Sequence, residues 1–404
     1  MVSRRTLLKS GATGVFAVSA GAAGLIALNT GSAPAASADE VAMSATPGAA
    51  PLRQALDVIA ATAAAGVLAE IRHPGSTWRS SGGVAELNTT ERVPVQGRFR
   101  AGSVTKSFVA TVVMQLIGDR RVGLDDPVER WLPGTIVAGD RITVRQLLQH
   151  TSGLVNYTNT RAFRTLYGTV DGIVSQRDRT WTPAELLAFI DGQPLLFEPG
   201  TSWAYSNTNY ILLSLIIEKV TGRHYASEVE RRILRPLGLY NTELPGAKSA
   251  ITGPHPHGYL PREQGGTLRP VDITVLNPTV AAASGELVTT TADLNRFYRA
   301  LLTGRLLRPA QLAQMRTTRT TGHDYDYGLS LQTKLLADGT RLWGHEGDIF
   351  GYQTSCWTTE DGRRQLTVAA TPWGTGDLDE LLNTLVTTAF ASSGGPLNAT
   401  TPDQ

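Results

Sequence analysis

The sequence predicts an α/β (α+β) protein: one antiparallel sheet assembled from both ends of the chain, flanked by helices, with an all-helical domain inserted between them. Three observations predict it. Near the start, "GVLAEIR" and "TWRSSGGVAEL" read as two strands around the turn His73-Pro74-Gly75. Near the end, "YGLSLQTKL", "TRLWGH", "GYQTSCWTT" and "QLTVAAT" alternate apolar and polar residues, with Asp338-Gly339 and Asp361-Gly362 as hairpin turns. From about 120 to 265 come helical segments and long loops, as in "TVRQLLQHTSGL", "TPAELLAFIDG" and "TNYILLSLIIEKVTG". The domain is expected over 51–390, with its α/β part at about 51–119 and 270–390 and its helical part at about 120–269.

Residues 1–38 precede that fold. Arg4-Arg5 is followed by a Gly/Ala-rich apolar run and by small residues ending Ala36-Ser37-Ala38. This stretch is expected to be a secretion signal of the twin-arginine type, cleaved after Ala38. Its run nearly reaches spanning length, but the glycines and the A-S-A site argue against a stable membrane anchor. A secreted, extracellular protein is expected, with residues 39–50 as a small-residue linker. Arg4, Arg5 and Lys9 are the signal's charged side chains; without them, 37 basic and 35 acidic residues become 34 and 35, a net charge of −1. No basic block remains to suggest nucleic acid or an anionic membrane. Cys356 is the sole cysteine, so no internal disulfide exists, and its strand-like surroundings read as core rather than nucleophile. The remaining chain is long enough to bury a core without disulfides.

Taken in order, "LRQALDVIAATAAAG" places Leu52, Leu56, Ile59 and Ala63 on one helical face. After the first two strands comes "GSVTKSF", heading the apolar run "VATVVMQLIG". Lysine is rarely buried without a partner, and residues three apart on a helix share a face. Ser103 and Lys106 would therefore point at one spot, although alone they read equally as a cap and a lysine reaching for water. "EPGTSWAYSNTNY" carries Tyr205-Ser206-Asn207 before an apolar helix; alone it reads as a loop with Asn207 or Thr208 as the cap. "WGHEGDIFGY" ends a strand at His345-Glu346-Gly347; alone it reads as a hairpin with an exposed histidine. His150, in "QHTSGL", reads as structural. His255 and His257, in "PHPHG", lack the carboxylate or cysteine cluster a metal site needs, so no metal or other cofactor is expected. "DLDELLNTLVTTAFA" closes the fold with a helix, and residues 391–404 are expected as a disordered tail.

Together these clusters meet one chemical need. A serine hydroxyl is a weak nucleophile and needs an adjacent base. Lys106 can serve if burial and nearby positive charge lower its pKa. A tyrosine hydroxyl can relay a proton to the leaving group. Ser103 at the helix start also gains from the positive end of the helix dipole.

The order S-V-T-K, Y-S-N, H-x-G resembles the penicillin-recognising serine hydrolases. It is most similar to the secreted D-alanyl-D-alanine carboxypeptidases of actinomycetes and more distantly to class C β-lactamases. "FRAGSVTKSF", "RITVRQLLQHTSGL", "PGTSWAYSNTNY", "IEKVTG" and "QLAQM" extend the likeness over roughly 52–390. The resemblance implies a β-lactamase/transpeptidase-like fold and a serine acyl-enzyme. Ser103 would be the nucleophile, Lys106 the base, and Tyr205 the proton relay. Asn207 would bind the substrate amide, and His345 would be a polar or cationic neighbour of Tyr205. The backbone N–H groups of Ser103 and Asp348 would hold the oxyanion, and Gly347 would be one of the substrate-binding residues. The implied partners are small peptides, amides or cell-wall peptides, with β-lactams as acylating inhibitors, and a monomer is expected.

The chain departs from the carboxypeptidase pattern where that family holds a terminal carboxylate. Glu346 and Asp348 replace two threonines, and Gln332 stands in place of an arginine. Two like charges about 4 Å apart repel by roughly 4 kcal/mol at an effective dielectric near 20. A free carboxylate should then bind poorly, unless Glu346 faces solvent or pairs with a nearby arginine such as Arg341. Two readings follow: a D-alanyl-D-alanine carboxypeptidase, or a D-stereospecific amidohydrolase, aminopeptidase or esterase on the same scaffold. A β-lactamase ranks below both, because no water-activating arrangement for fast deacylation is identified. A non-catalytic penicillin sensor would need a spanning segment that the sequence beyond the signal does not offer.

Overall fold

In a computed structural model, which describes residues 49–391, the two ends of the chain meet at one strand. β1 (Ala64–His73) pairs antiparallel with β2 (Ser76–Gly83) on one side. On its other side lies the last strand of the chain, Gln365–Pro372. The short β3 (Phe99–Arg100) lies outside this sheet and pairs with β6 (Val288–Thr289). β4 (Tyr259–Gln264) and β5 (Thr267–Asp272) form a separate hairpin. β7 (Arg319–Thr320), β8 (Asp326–Tyr327), β9 (Gln332–Leu335), β10 (Arg341–Ile349), β11 (Tyr352–Thr359) and β12 (Gln365–Pro372) complete the main sheet. Its order is β2-β1-β12-β11-β10-β9-β8-β7. The expected signal, most of the linker and the tail beyond Ala391 lie outside the described residues.

Six helices position the site: α1 (Ala49–Thr62), α2 (Thr105–Gly118), α3 (Val144–Gln149), α4 (Thr208–Thr221), α5 (Thr291–Leu302) and α6 (Leu378–Ala391). α1 and α6 cover one sheet face, where Leu56, Ile59 and Leu385 pack with Val67, Trp357 and Leu366. α2 and α5 cover the other, where Phe108 and Phe297 stack at 3.7 Å above the side of the sheet that carries Leu68, Trp343 and Cys356. With both faces covered, Ala64–Ile71 of β1 are buried without interruption. Cys356 lies in this core, and burial pushes its thiol up to about 12.

Four details differ from the sequence reading. α1 begins at Ala49, inside the stretch expected as linker. The end of the segment expected to be helical is the β4–β5 hairpin, turned by Gly265 and Gly266, both at positive φ. Pro261 and Pro270 face each other across it, and proline masks a strand pattern. "YGLSLQTKL" is two short strands, because Ser330 adopts φ 68° and Gly328 N–H donates to the Leu331 carbonyl. β10 does not end at His345 but runs on to Ile349, so the histidine is buried in mid-strand rather than exposed in a hairpin.

Candidate active site

Ser103 sits in the 3₁₀ turn Gly102–Val104, one step before α2, rather than within that helix. In a 3₁₀ turn residues three apart eclipse, which aligns Ser103 with Lys106 in the first turn of α2. Lys106 Nζ lies 3.1 Å from Ser103 Oγ and donates to the Ser284 carbonyl at 2.6 Å. The lysine is fully buried, and burial pushes its pKa well below the ordinary lysine range. Among the described residues no carboxylate pairs with it. A neutral amine donating to Ser284 keeps its lone pair for the Ser103 proton. Ser284 is a contribution the sequence did not signal, since its backbone oxygen is what matters. It is presented by the turn Ala282–Ser284, whose first residue holds φ 42°.

The Tyr205 turn approaches from the helical domain. Lys106 Nζ lies 4.8 Å from the centre of the Tyr205 ring. Burial pushes the Tyr205 hydroxyl well above the ordinary tyrosine range, with Ser103 in front of it pulling the other way. That hydroxyl is buried and makes no hydrogen bond within normal limits. Asn207 opens α4 without capping it: both polar atoms of its amide are buried and unpartnered. Its backbone N–H is held by Asn156 Oδ1 at 3.2 Å, which leaves the side chain for a ligand.

β10 supplies the opposite wall. Gly347 and Gly102 let strand and turn touch. A Cβ on Gly347 would fall 2.1 Å from the Ala101 carbonyl oxygen and 2.9 Å from Ser103 N. A Cβ on Gly102, at φ 51°, would fall 2.8 Å from Asp348 N. β10 pairs with β9 only as far as Gly344, so its edge is open beyond that point. Glu346 N–H points to this edge, donating to Gln332 Oε1 at 2.7 Å. Backbone N–H groups two residues apart on a strand point the same way, so Asp348 N–H faces the same edge, beside Ser103. Two backbone donors at one serine are the arrangement that stabilises an oxyanion.

Of the polar or cationic neighbour of Tyr205 that the resemblance implies, His345 has the neutral, polar form, with Tyr327 between the two. Its Nδ1 faces the Glu346 carbonyl, which can only accept, so Nδ1 carries the proton. Nε2 then accepts from the Tyr327 hydroxyl at 2.9 Å. Burial, helped by Lys106, holds the imidazole neutral by lowering its pKa to about 3. Tyr327 stands between the histidine and Tyr205, with its ring edge-on to both. It lies in the quoted "YGLSLQ" stretch, but nothing in its spacing marked it.

Glu346 pairs with Lys334, Oε1 to Nζ 3.6 Å, rather than with Arg341. Burial, Asp324 and Asp379 push its pKa up, and Lys334 opposes them. Gln332 is buried, with its carbonyl oxygen spent on Glu346 N–H. The Tyr325 hydroxyl lies among Gln332, Glu346, Asp324 and Asp348, all but the glutamine raising its pKa together with burial. Trp203, whose ring centre is 6.4 Å from those of both Tyr205 and Tyr325, adds an aromatic wall that the sequence reading missed. No group of three or more metal-ligating side chains occurs among the described residues.

The Beta-lactamase family matches residues 52–389. The chain is 28% identical over 298 residues to Penicillin-binding protein 4* of Bacillus subtilis (strain 168), covering 72% of this chain and 64% of that protein. It thus spans just under two thirds of that relative's length. The crystal structure of a D-stereospecific amidohydrolase from Streptomyces sp. shares the fold at TM-score 0.79 and 38% identity, over 85% of this chain and 99% of that one. The D-amino acid amidase of Ochrobactrum anthropi SV3 does so at TM-score 0.72 and 26% identity, over 85% and 98%. A family match that runs from α1 to α6 and encloses the serine–lysine pair leads to one conclusion: the chain belongs to the Beta-lactamase family, the penicillin-recognising serine hydrolases.

Proposed function

We propose that the protein is an exported serine hydrolase that forms an acyl-enzyme at Ser103 and acts on amides or esters of D-amino acids. The observation that carries the acyl-enzyme is the contact of Ser103 Oγ with a buried, uncompensated Lys106. Lys106 takes the hydroxyl proton as Ser103 attacks the scissile carbonyl. The carbonyl oxygen gathers charge between the N–H groups of Ser103 and Asp348, where each donor is worth about a hundredfold or more in rate. Tyr205 passes the proton to the leaving amine or alcohol, and Asn207 holds the substrate amide. Water then releases the acyl group by the reverse steps.

Preference for amides or esters is supported by the rim. Gln332 offers no charge, and Glu346, Asp348 and Asp324 are acidic. The named neighbours point the same way, one being a D-stereospecific amidohydrolase and another a D-amino acid amidase. The carboxypeptidase reading keeps one observation in its favour: Glu346 is paired with Lys334, Oε1 to Nζ 3.6 Å, which offsets its charge and weakens its repulsion of a terminal carboxylate. Ser103→Ala is expected to abolish both turnover and covalent labelling by a fluorescent penicillin, with the fold intact. Labelling that persists in that variant removes Ser103 as the nucleophile. A panel of D-Ala-D-Ala peptide, D-amino acid amide and D-amino acid ester then separates the two specificities. A kcat/KM highest for the peptide acid would establish the carboxypeptidase.

A further inference from the structure

One residue holds the turn that carries Tyr205 on both sides of the tyrosine. His150 follows α3 in the left-handed conformation, φ 61° and ψ 34°, which histidine tolerates better than most non-glycine residues. Its carbonyl accepts from Ala204 N–H at 3.0 Å, and its ring Nδ1 accepts from Ser206 N–H at 3.2 Å. Ala204 and Ser206 are the two chain neighbours of Tyr205. The imidazole also lies against the Tyr205 ring, with centres 4.3 Å apart.

The hydrogen bonds determine where the imidazole keeps its proton. Ser152 Oγ, itself accepting from Leu154 N–H, donates to Asn209 Oδ1 at 2.7 Å. That aims the Asn209 amide nitrogen at His150 Nδ1, 3.0 Å away. Two N–H donors converge on Nδ1, so it is bare and Nε2 carries the proton. Nε2 is buried without a hydrogen-bond partner. Burial, Lys106 and His345 all lower the pKa of the ring and keep it neutral.

We propose that His150 is a positioning residue for acyl transfer: its carbonyl and its unprotonated Nδ1 grip the residues on either side of Tyr205 and so hold the phenol beside Ser103. This rests on the acyl-enzyme reading above. His150 touches neither Ser103 nor the reacting bond; it acts through Tyr205. Without the Nδ1 acceptor, Ser206 N–H is released and the turn loses one of the two anchors that His150 supplies. A misplacement of about 1 Å at a reacting group costs about a hundredfold in rate.

The test compares His150→Asn with His150→Gly. Both accept a left-handed backbone and both lose the ring, but only asparagine keeps an acceptor near the place of Nδ1. The readout is the single-turnover rate of acylation by a fluorescent penicillin. His150→Gly is expected to acylate about a hundredfold more slowly than wild type, with His150→Asn recovering most of that loss. Equal rates for the two variants overturn the proposal. In a Tyr205→Phe background, His150→Gly should cause no further slowing, because the group it positions is gone. Additive slowing shows that His150 acts elsewhere and also overturns it. ¹⁵N NMR of the wild-type protein needs no variant to fold, and a proton on Nδ1 instead of Nε2 is a third overturning result. Wild-type protein that forms no adduct with the penicillin or with any substrate instead removes the acyl-enzyme reading, and this proposal with it.

Discussion

Lys106 is both the most costly residue of the site and the one its chemistry needs. A buried amine with a lowered pKa binds its proton less readily in the folded chain than in the unfolded one, whose lysine titrates near 10.5. As pH falls below that value, the unfolded state takes up the proton first, and the wild type loses stability by about 1.4 kcal/mol per pH unit until the folded pKa is reached. Lys106→Met removes this term. Its melting temperature relative to wild type is therefore expected to rise as pH is lowered from 9, then to level off, while acylation is lost. A difference independent of pH would mean that Lys106 is not depressed. The same titration sets the acid limb of the wild-type kcat/KM profile, since only the neutral amine can take the Ser103 proton. His345, held neutral down to about 3, adds no step of its own near neutrality.

Specificity also belongs to single residues. Gln332→Arg with Glu346→Thr restores a guanidinium and removes one acid at the open edge of β10. Lys334 Nζ stays on Asn383 Oδ1 at 3.0 Å and over the Trp357 ring when Glu346 is removed, so the new guanidinium is the cation offered to a terminal carboxylate. The kcat/KM ratio of peptide acid to peptide amide is expected to rise at least about tenfold, or about 1.4 kcal/mol, in the double variant. An unchanged ratio would place Glu346 and Gln332 outside the specificity site.

At the scale of elements, the site depends on how closely β10 approaches the turn before α2. Gly347 and Gly102 exist there because backbone meets backbone, with Asp348 N and Ser103 N as the groups brought together. Gly347→Ala must push strand and turn apart, since its Cβ would fall 2.1 Å from the Ala101 carbonyl oxygen. The spread separates the two oxyanion donors. We expect kcat to fall by about a hundredfold or more, while substrate binding changes far less. Equal loss in KM would point to general disruption of the strand rather than to the oxyanion donors.

At the scale of the molecule, the sheet needs both ends of the chain, because β12 pairs with β1 across nearly the whole domain. Such a sheet cannot close until β12 has been made, so the export proposed above would act on a chain already folded. The paired Arg4-Arg5 and Ala36-Ser37-Ala38 make this testable. N-terminal sequencing of secreted protein is expected to begin near Asp39, and a membrane-held form starting at residue 1 or 2 would make the stretch an anchor instead.

By itself the sequence determined the features that depend on near neighbours. Strand alternation at both ends, the helical period between them, the three-residue step from Ser103 to Lys106 and the Tyr205-Ser206-Asn207 turn are all short-range patterns, legible because side-chain direction repeats with local geometry. Pro261 and Pro270 hid a hairpin because proline contradicts the usual strand signal. Only the tertiary structure decided which backbone groups serve the site: the Ser284 carbonyl on Lys106, the β10 edge that Glu346 and Asp348 N–H groups face, the carbonyl of His150 beneath Ala204. Every residue carries the same amide, so no residue type announces these roles; register and packing assign them. Protonation was decided in the same way. His345 and His150 are one residue type, yet one keeps its proton on Nδ1 and the other on Nε2. A carbonyl faces Nδ1 of His345, whereas two N–H donors face Nδ1 of His150 and leave that ring's proton on Nε2.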